Sequence, residues 1–171
     1  MSDRMQGFGG FAAGRQPTTT IPNAFFSELL PLIDNLAELK VTLHLFWLIG
    51  KKRGALRYAR LSELESDAGL LESLATDERS GPDVLRDALE RAVARGSLLH
   101  VTIQRDGAPE EWYMVNSANG REVLTRLRAG DLDLLTDVAE DVQLRTERPT
   151  IFVLYEQNIG MLTPMIADEL R

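Results

Sequence analysis

The sequence predicts a mainly α-helical fold that carries a small β-hairpin, and three observations lead there. The first is the stretch Pro82–Asn116, PDVLRDALERAVARGSLLHVTIQRDGAPEEWYMVN. It opens as a helix, with Val84, Leu85, Ala88, Leu89, Ala92 and Val93 recurring at a 3.6-residue period and Pro82 at an early position, where a missing N–H does no harm. Gly96 stops it. The run LLHVTI then reads as a strand, Asp106-Gly107 and Pro109 mark a turn, and EWYMV returns as a second strand rich in aromatic and β-branched residues. The second observation is the preceding segment, YARLSELESDAGLLESLA, which offers a short strand over Leu56–Arg60, a helix over 61–66 and a turn region. The third is an apolar content of 44 % in 171 residues, enough for one real core plus appendages. A helix followed at once by a hairpin is the ending of a winged helix-turn-helix unit, here with extra N-terminal helices.

The remaining elements follow in chain order. Residues 1–20 are Gly-rich over 7–14, hold Phe8 and Phe11 without a period, and read as a disordered tail. Ile21-Pro22-Asn23 opens the ordered part, and a helix is predicted from about Ala24 to Leu32, with Pro31 closing or kinking it. A second helix is predicted from Leu36 to Lys52. It has one apolar stripe of Leu36, Leu39, Leu43, Phe46 and Trp47 and another of Val41, Leu45 and Leu48. A helix apolar on two sides is buried on two sides, so it sits centrally or between subunits. Within it, His44 is expected as a packed, hydrogen-bonded side chain rather than a ligand. The stretch GLLESLATDERSGP, Ser/Gly/Pro-rich near 76–82, is expected to bulge as a loop. Asn116-Ser117 caps a helix over Ala118–Leu127 that Gly130 ends. Residues 129–150 form an acidic linker, helical in part, with a domain boundary at 145–150. A further helix is predicted over 151–159, closed by Gly160, and Thr163-Pro164 starts another that the chain end cuts off.

Charge and motifs narrow the function. The net charge of −7 counts against a large nucleic-acid footprint. The charge is uneven, because Lys51, Lys52, Arg53, Arg57 and Arg60 fall within ten residues that hold no acid. These cations have two readings: they offset the negative end of a helix dipole, or they line a surface that meets phosphates. The predicted recognition helix, 82–95, mixes Arg86, Arg91 and Arg95 with Asp83, Asp87 and Glu90, carboxylates that phosphates would repel. On this chemistry the unit is as well suited to protein contact as to reading DNA. The candidate nucleic-acid contacts are Lys51, Lys52, Arg53, Arg57, Arg60, Arg91, Arg95 and Arg105, and the candidate self-association residues are Val41, Leu45 and Leu48.

No catalytic, cofactor-binding or metal-binding constellation is present in the sequence: there is no G-x-S-x-G, no phosphate loop ending in GK[ST] and no H-E-x-x-H. Glu63, Glu65 and Asp67 lack the pattern of a calcium loop and read as a solvated acidic face. The absence of cysteine fits a cytoplasmic protein. The densest apolar run, Val41–Gly50, falls short of the ~20 residues of a membrane span, and no apolar segment of a secretory signal lies between Arg4 and Arg15.

The end of the chain, IFVLYEQNIGMLTPMIADELR, resembles the opening of the conserved C-terminal domain of the DnaD family of bacterial replication-initiation and primosome proteins. The matching positions are Phe152, Tyr155, Glu156, Asn158, Gly160, Met161, Leu162 and Pro164. Ile21-Pro22, two apolar helices, a winged unit and an acidic linker also look like that family's N-terminal half. The resemblance implies a winged-helix oligomerisation domain over 21–128 and the truncated start of a DNA-binding domain over 151–171. Its implied partners are a second copy of the chain, replication-initiation or helicase-loading proteins, and DNA, the last bound weakly because the family's DNA-binding helices are missing. A winged-helix transcriptional regulator, touching DNA through Arg86, Arg91, Arg95 and Arg105, is the alternative.

Overall fold

The computed structural model describes residues 7–131 and a strand at Phe152–Leu154. The predicted linker beyond Asp131 and the Gly160 and Pro164 signals lie outside the described residues. The fold is largely helical with a small antiparallel sheet. A π-helical turn at Phe25–Leu29 and a 3-10 turn at Leu30–Leu32 lead into α1 (Leu36–Gly50). Then come β1 (Ala59–Arg60), α2 (Leu61–Glu65), α3 (Ala68–Leu74), α4 (Gly81–Arg95), β2 (Leu98–Arg105), β3 (Ala108–Val115), α5 (Ala118–Arg128) and β4 (Phe152–Leu154).

The strands lie in the order β1-β3-β2-β4, each pair antiparallel. Asp106 and Gly107 both take positive φ (52° and 80°), which a two-residue hairpin turn requires, and the pairing runs from Arg105↔Ala108 to Leu98↔Val115. That register fixes which side chains share a face. Leu98 and Tyr113 join Val41, Leu45, Leu64, Leu85, Leu89 and their neighbours in a core between the sheet and α1–α4. Val101, Ile103, Trp112 and Met114 face the other way and pack with Tyr58, Val123, Leu124 and Leu127 of the opposite layer. The sheet is thus covered on both sides, with Trp112 stacked on Tyr58 at 3.7 Å between ring centres.

Local chemistry explains the helix boundaries. Asn35, Asp67, Ser80 and Ser117 each accept an N–H from the first turn of α1, α3, α4 and α5 respectively. Gly96 closes α4 in the left-handed region at φ 91°. At Gly81 a Cβ would stand 2.4 Å from the Leu71 carbonyl oxygen, so the start of α4 can pack against α3 only with glycine there.

Three predicted elements change. The helix over 24–32 is instead a π turn and a 3-10 turn, with Pro31 at the start of the latter, where a proline has no N–H to give to a continuing α ladder. The predicted loop after residue 68 contains α3, because Asp67 caps it and Leu70 and Leu74, one turn apart, are buried against the core. At the far end, Phe152–Leu154 is not the start of a helix but a strand on β2, with Thr102↔Leu154 and Gln104↔Phe152 in register; its aromatic and β-branched composition suits a strand. Residues 7–20 carry no helix or strand, and Phe8 and Phe11 are exposed, their rings in edge contact at 5.0 Å. Among the described residues no helix is long and apolar enough to cross a membrane.

Candidate nucleic-acid interface and association surface

Helix α1 decides where both candidate surfaces can lie. Its inward face is Glu38, Val41, Thr42, Leu45 and Ile49, spaced three or four apart, and Val41 and Leu45 are fully buried in the chain's own core. Leu48 is partly buried against the same core. This corrects the self-association assignment of Val41, Leu45 and Leu48: those side chains pack within the chain, chiefly in the contact with α4, and are not offered to a partner. The apolar groups left uncovered are Leu36, Leu32 and Phe26 at the N-terminal end of this region, 67 %, 60 % and 54 % exposed, and Trp47 near the other end of α1. Phe25, beside Phe26, turns inward against Phe46.

A carboxylate sits in the buried face. Glu38 is fully buried, and its Oε2 accepts a hydrogen bond from Arg95 Nη2 at 3.0 Å while its Oε1 accepts one from Arg95 Nε. Asp34 adds a third contact at 3.3 Å. Bidentate pairing of this kind is strong and directional, so it orients α1 against α4. The hydrogen bond from Arg95 to Glu38 raises the guanidinium's pKa, with burial acting the other way.

The other cations of α4 are also engaged. Arg86 donates to Glu65 of α2 at 2.6 Å, and that bond, with the charge behind it, raises the Arg86 pKa. Arg91 donates to Asp87 one turn earlier at 3.0 Å, and Arg79 approaches the same carboxylate at 3.6 Å. The hydrogen bond from Arg91 holds Asp87 below the usual carboxylate range, with desolvation opposing. The hairpin repeats the pattern. Glu110 Oε2 takes the Trp112 indole N–H at 3.0 Å and lies 3.9 Å from both Arg60 and Arg105. Burial works against the Arg60 charge, but Tyr58, Glu110 and Glu63 outweigh it and the pKa is raised. Lys52 bonds Glu63 at 2.8 Å and the Tyr58 carbonyl oxygen.

Of the eight predicted nucleic-acid contacts, Lys52, Arg60, Arg91, Arg95 and Arg105 are therefore held by carboxylates of the chain. Lys51, Arg53 and Arg57 have no ion-pair partner among the described residues. They lie on the loop between α1 and β1, which turns at Gly54 with φ 92°. The loop is pinned by the Lys52 bonds, by Arg57 Nε donating to the Gly54 carbonyl at 3.2 Å, and by Asn119 of α5 donating to the Ala55 carbonyl at 3.1 Å. Lys51 Nζ stands 3.1 Å from the centre of the Trp47 ring, a cation–π contact worth about 0.5–1 kcal/mol at an exposed site.

The predicted solvated acids are engaged too. Glu63 holds Lys52 and the Arg60 N–H, Glu65 holds Arg86, and Asp67 caps α3 while its Oδ2 lies 3.1 Å from His44 Nε2. His44 is thus half-buried beside a carboxylate, packed within the helix face as expected. No group of His, Cys, Asp and Glu among the described residues is arranged to hold a metal ion. The exposed indole of Trp47 was not separable in the sequence from the apolar stripe in which it falls; its i, i+4 spacing to Lys51 was the available signal. The chain matches no protein-family model, no curated protein and no solved structure.

Proposed function

We propose that the chain is a non-enzymatic assembly module of DNA replication initiation, similar in role to DnaD-family proteins, that self-associates through its N-terminal apolar surface and contacts replication partners and, weakly, DNA. The order helix, strand, two short helices, long helix and hairpin, with β1 paired to β3, supports reading 36–115 as a winged helix-turn-helix with α4 in the recognition position. One observation carries the choice of role: each arginine of α4 is already bound by a carboxylate of the same chain. A phosphate would have to displace those carboxylates, and the acids would still repel it. The same observation weighs against the transcriptional regulator, which needs Arg86, Arg91 and Arg95 on DNA.

Self-association moves to Phe26, Leu32 and Leu36, the exposed apolar groups ahead of and at the start of α1. Oligomers would raise the local concentration of weak DNA and protein sites. The test is a light-scattering mass combined with a DNA titration at low and moderate salt. A dimer or larger species with weak binding that grows with DNA length supports the assembly role. A tight footprint on a palindromic half-site pair replaces it with the regulator.

A further inference from the structure

We propose that Trp47, with Lys51, Arg53 and Arg57, forms a platform for single-stranded nucleic acid at the C-terminal end of α1. The inference deepens the nucleic-acid part of the reading above and rests on it. Trp47 is 43 % exposed on a regular helix, so its indole is presented from a rigid base. Lys51, the residue that caps the helix, lies over that ring. Arg53 and Arg57 follow within ten residues of Trp47, and none of the three cations is tied to a carboxylate among the described residues. The loop that carries them is pinned to Tyr58, Glu63 and α5 through Lys52 and Asn119, and Arg57 adds one bond to the Gly54 carbonyl.

This is the chemistry that single strands require. Every base has a π face that stacks on an exposed aromatic ring, and a neighbouring cationic track takes the phosphates. Lys51 has a flexible stem and three donors, so its ammonium can leave the ring for a phosphate when a base takes its place. A duplex keeps its base faces stacked and would use only the cations. His44, whose ring touches that of Trp47, lies 3.1 Å from Asp67, a carboxylate that also accepts the Leu70 N–H. A second copy of the chain is a poorer occupant. Leu36 and Trp47 share a face of α1 but are eleven positions apart, roughly 16 Å along the helix, so the exposed apolar groups at its start and the Trp47 ring lie at opposite ends of that face. Symmetric contact at Trp47 would also bring like charges together.

Fluorescence gives a direct test, because the chain has two tryptophans and Trp112 is only 1 % exposed and stacked on Tyr58. The full chain is titrated with an oligothymidylate of about 20 nucleotides and with a duplex of the same length, and binding is read in parallel by anisotropy of the labelled oligonucleotide. The expected result is quenching by the single strand well beyond that by the duplex. Trp47→Ala should weaken single-strand binding about tenfold, with Trp47→Phe recovering part of it. The double variant Arg53→Ala/Arg57→Ala should flatten the salt dependence by about one to two in log–log slope. Circular dichroism shows that each variant is folded. Single-strand binding that Trp47→Ala leaves unchanged overturns this site and leaves the nucleic-acid reading standing. Absence of binding to either oligonucleotide removes both, while the light-scattering mass still judges self-association. A Trp47→Ala variant whose mass falls, with fluorescence that follows protein concentration without any oligonucleotide, assigns the ring to a contact between copies and overturns the proposal.

Discussion

Helix α4 and the loop after α1 carry similar cations to different ends. On α4 an acid always stands within reach: Asp87 one turn before Arg91, Glu65 across from Arg86, Glu38 buried against Arg95. Residues 51–57 contain no acid, and of their four cations only Lys52 reaches one elsewhere among the described residues, Glu63. Positive charge on α4 is thus a poor guide to nucleic-acid contact. What matters is whether the fold has already supplied the counter-charge.

The largest effect that can test this picture concerns the helix both regions share. Leu45→Asp places a charge in the core and is expected to cost about 4 kcal/mol or more, whereas exposed Leu36→Asp should stay within about 0.5 kcal/mol of the parent and lower the oligomer mass. Urea unfolding and sedimentation read both quantities; a folded Leu45→Asp chain would remove α1 from the core. Next is Glu38→Ala, which takes away the carboxylate that holds Arg95. We expect a thermal midpoint lower by about 5–10 °C, more than for any other single carboxylate that pairs with α4, because Glu38 alone among them is fully buried.

Asp87→Asn should do less to stability, shifting the midpoint by no more than about 2 °C, because the pair is exposed. It releases Arg91, so α4 begins to resemble the loop and the salt dependence of DNA binding steepens by about one. The pH sign follows from the depressed Asp87 pKa. Its contribution is present above the ordinary carboxylate range and is lost as pH falls through the lowered value, so Asp87→Asn and parent should converge in acid. The smallest effect lies at the sheet. Burial, with Glu111 nearby, pushes the Tyr113 phenol well above its usual range. That stabilisation is complete below the ordinary tyrosine pKa and declines as pH rises beyond it, so Tyr113→Phe should lose less stability in alkali than the parent. Ultraviolet titration should show Tyr113 ionising only as the chain unfolds.

Local signals predicted much of this fold. The 3.6 period of α4, the Gly96 stop, the Asp106-Gly107 turn and the Ser117 cap all lie where the sequence places them, because each depends on neighbours in the chain. Misses occurred where distant groups decided. The segment after Asp67 looked like a loop because its turn residues follow closely, yet Leu70 and Leu74 find the core and make it a helix. Phe152–Leu154 looked helical until β2 offered it an edge. The candidate site was half legible: the basic island was visible, but which of its cations remain available was not.

The sequence by itself determined the helix, turn and hairpin signals of the body, the cluster of cations at 51–60 and the two apolar sides of α1, since periodicity and composition are properties of the chain alone. Only the tertiary structure decided which side of α1 is core. Both stripes are apolar; the one buried carries Val41 and Leu45 together with Glu38, which pairs with Arg95, 57 residues away. The same long-range pairing decided which cations are neutralised, because counter-charge is set by proximity in space, which spacing along the chain does not encode.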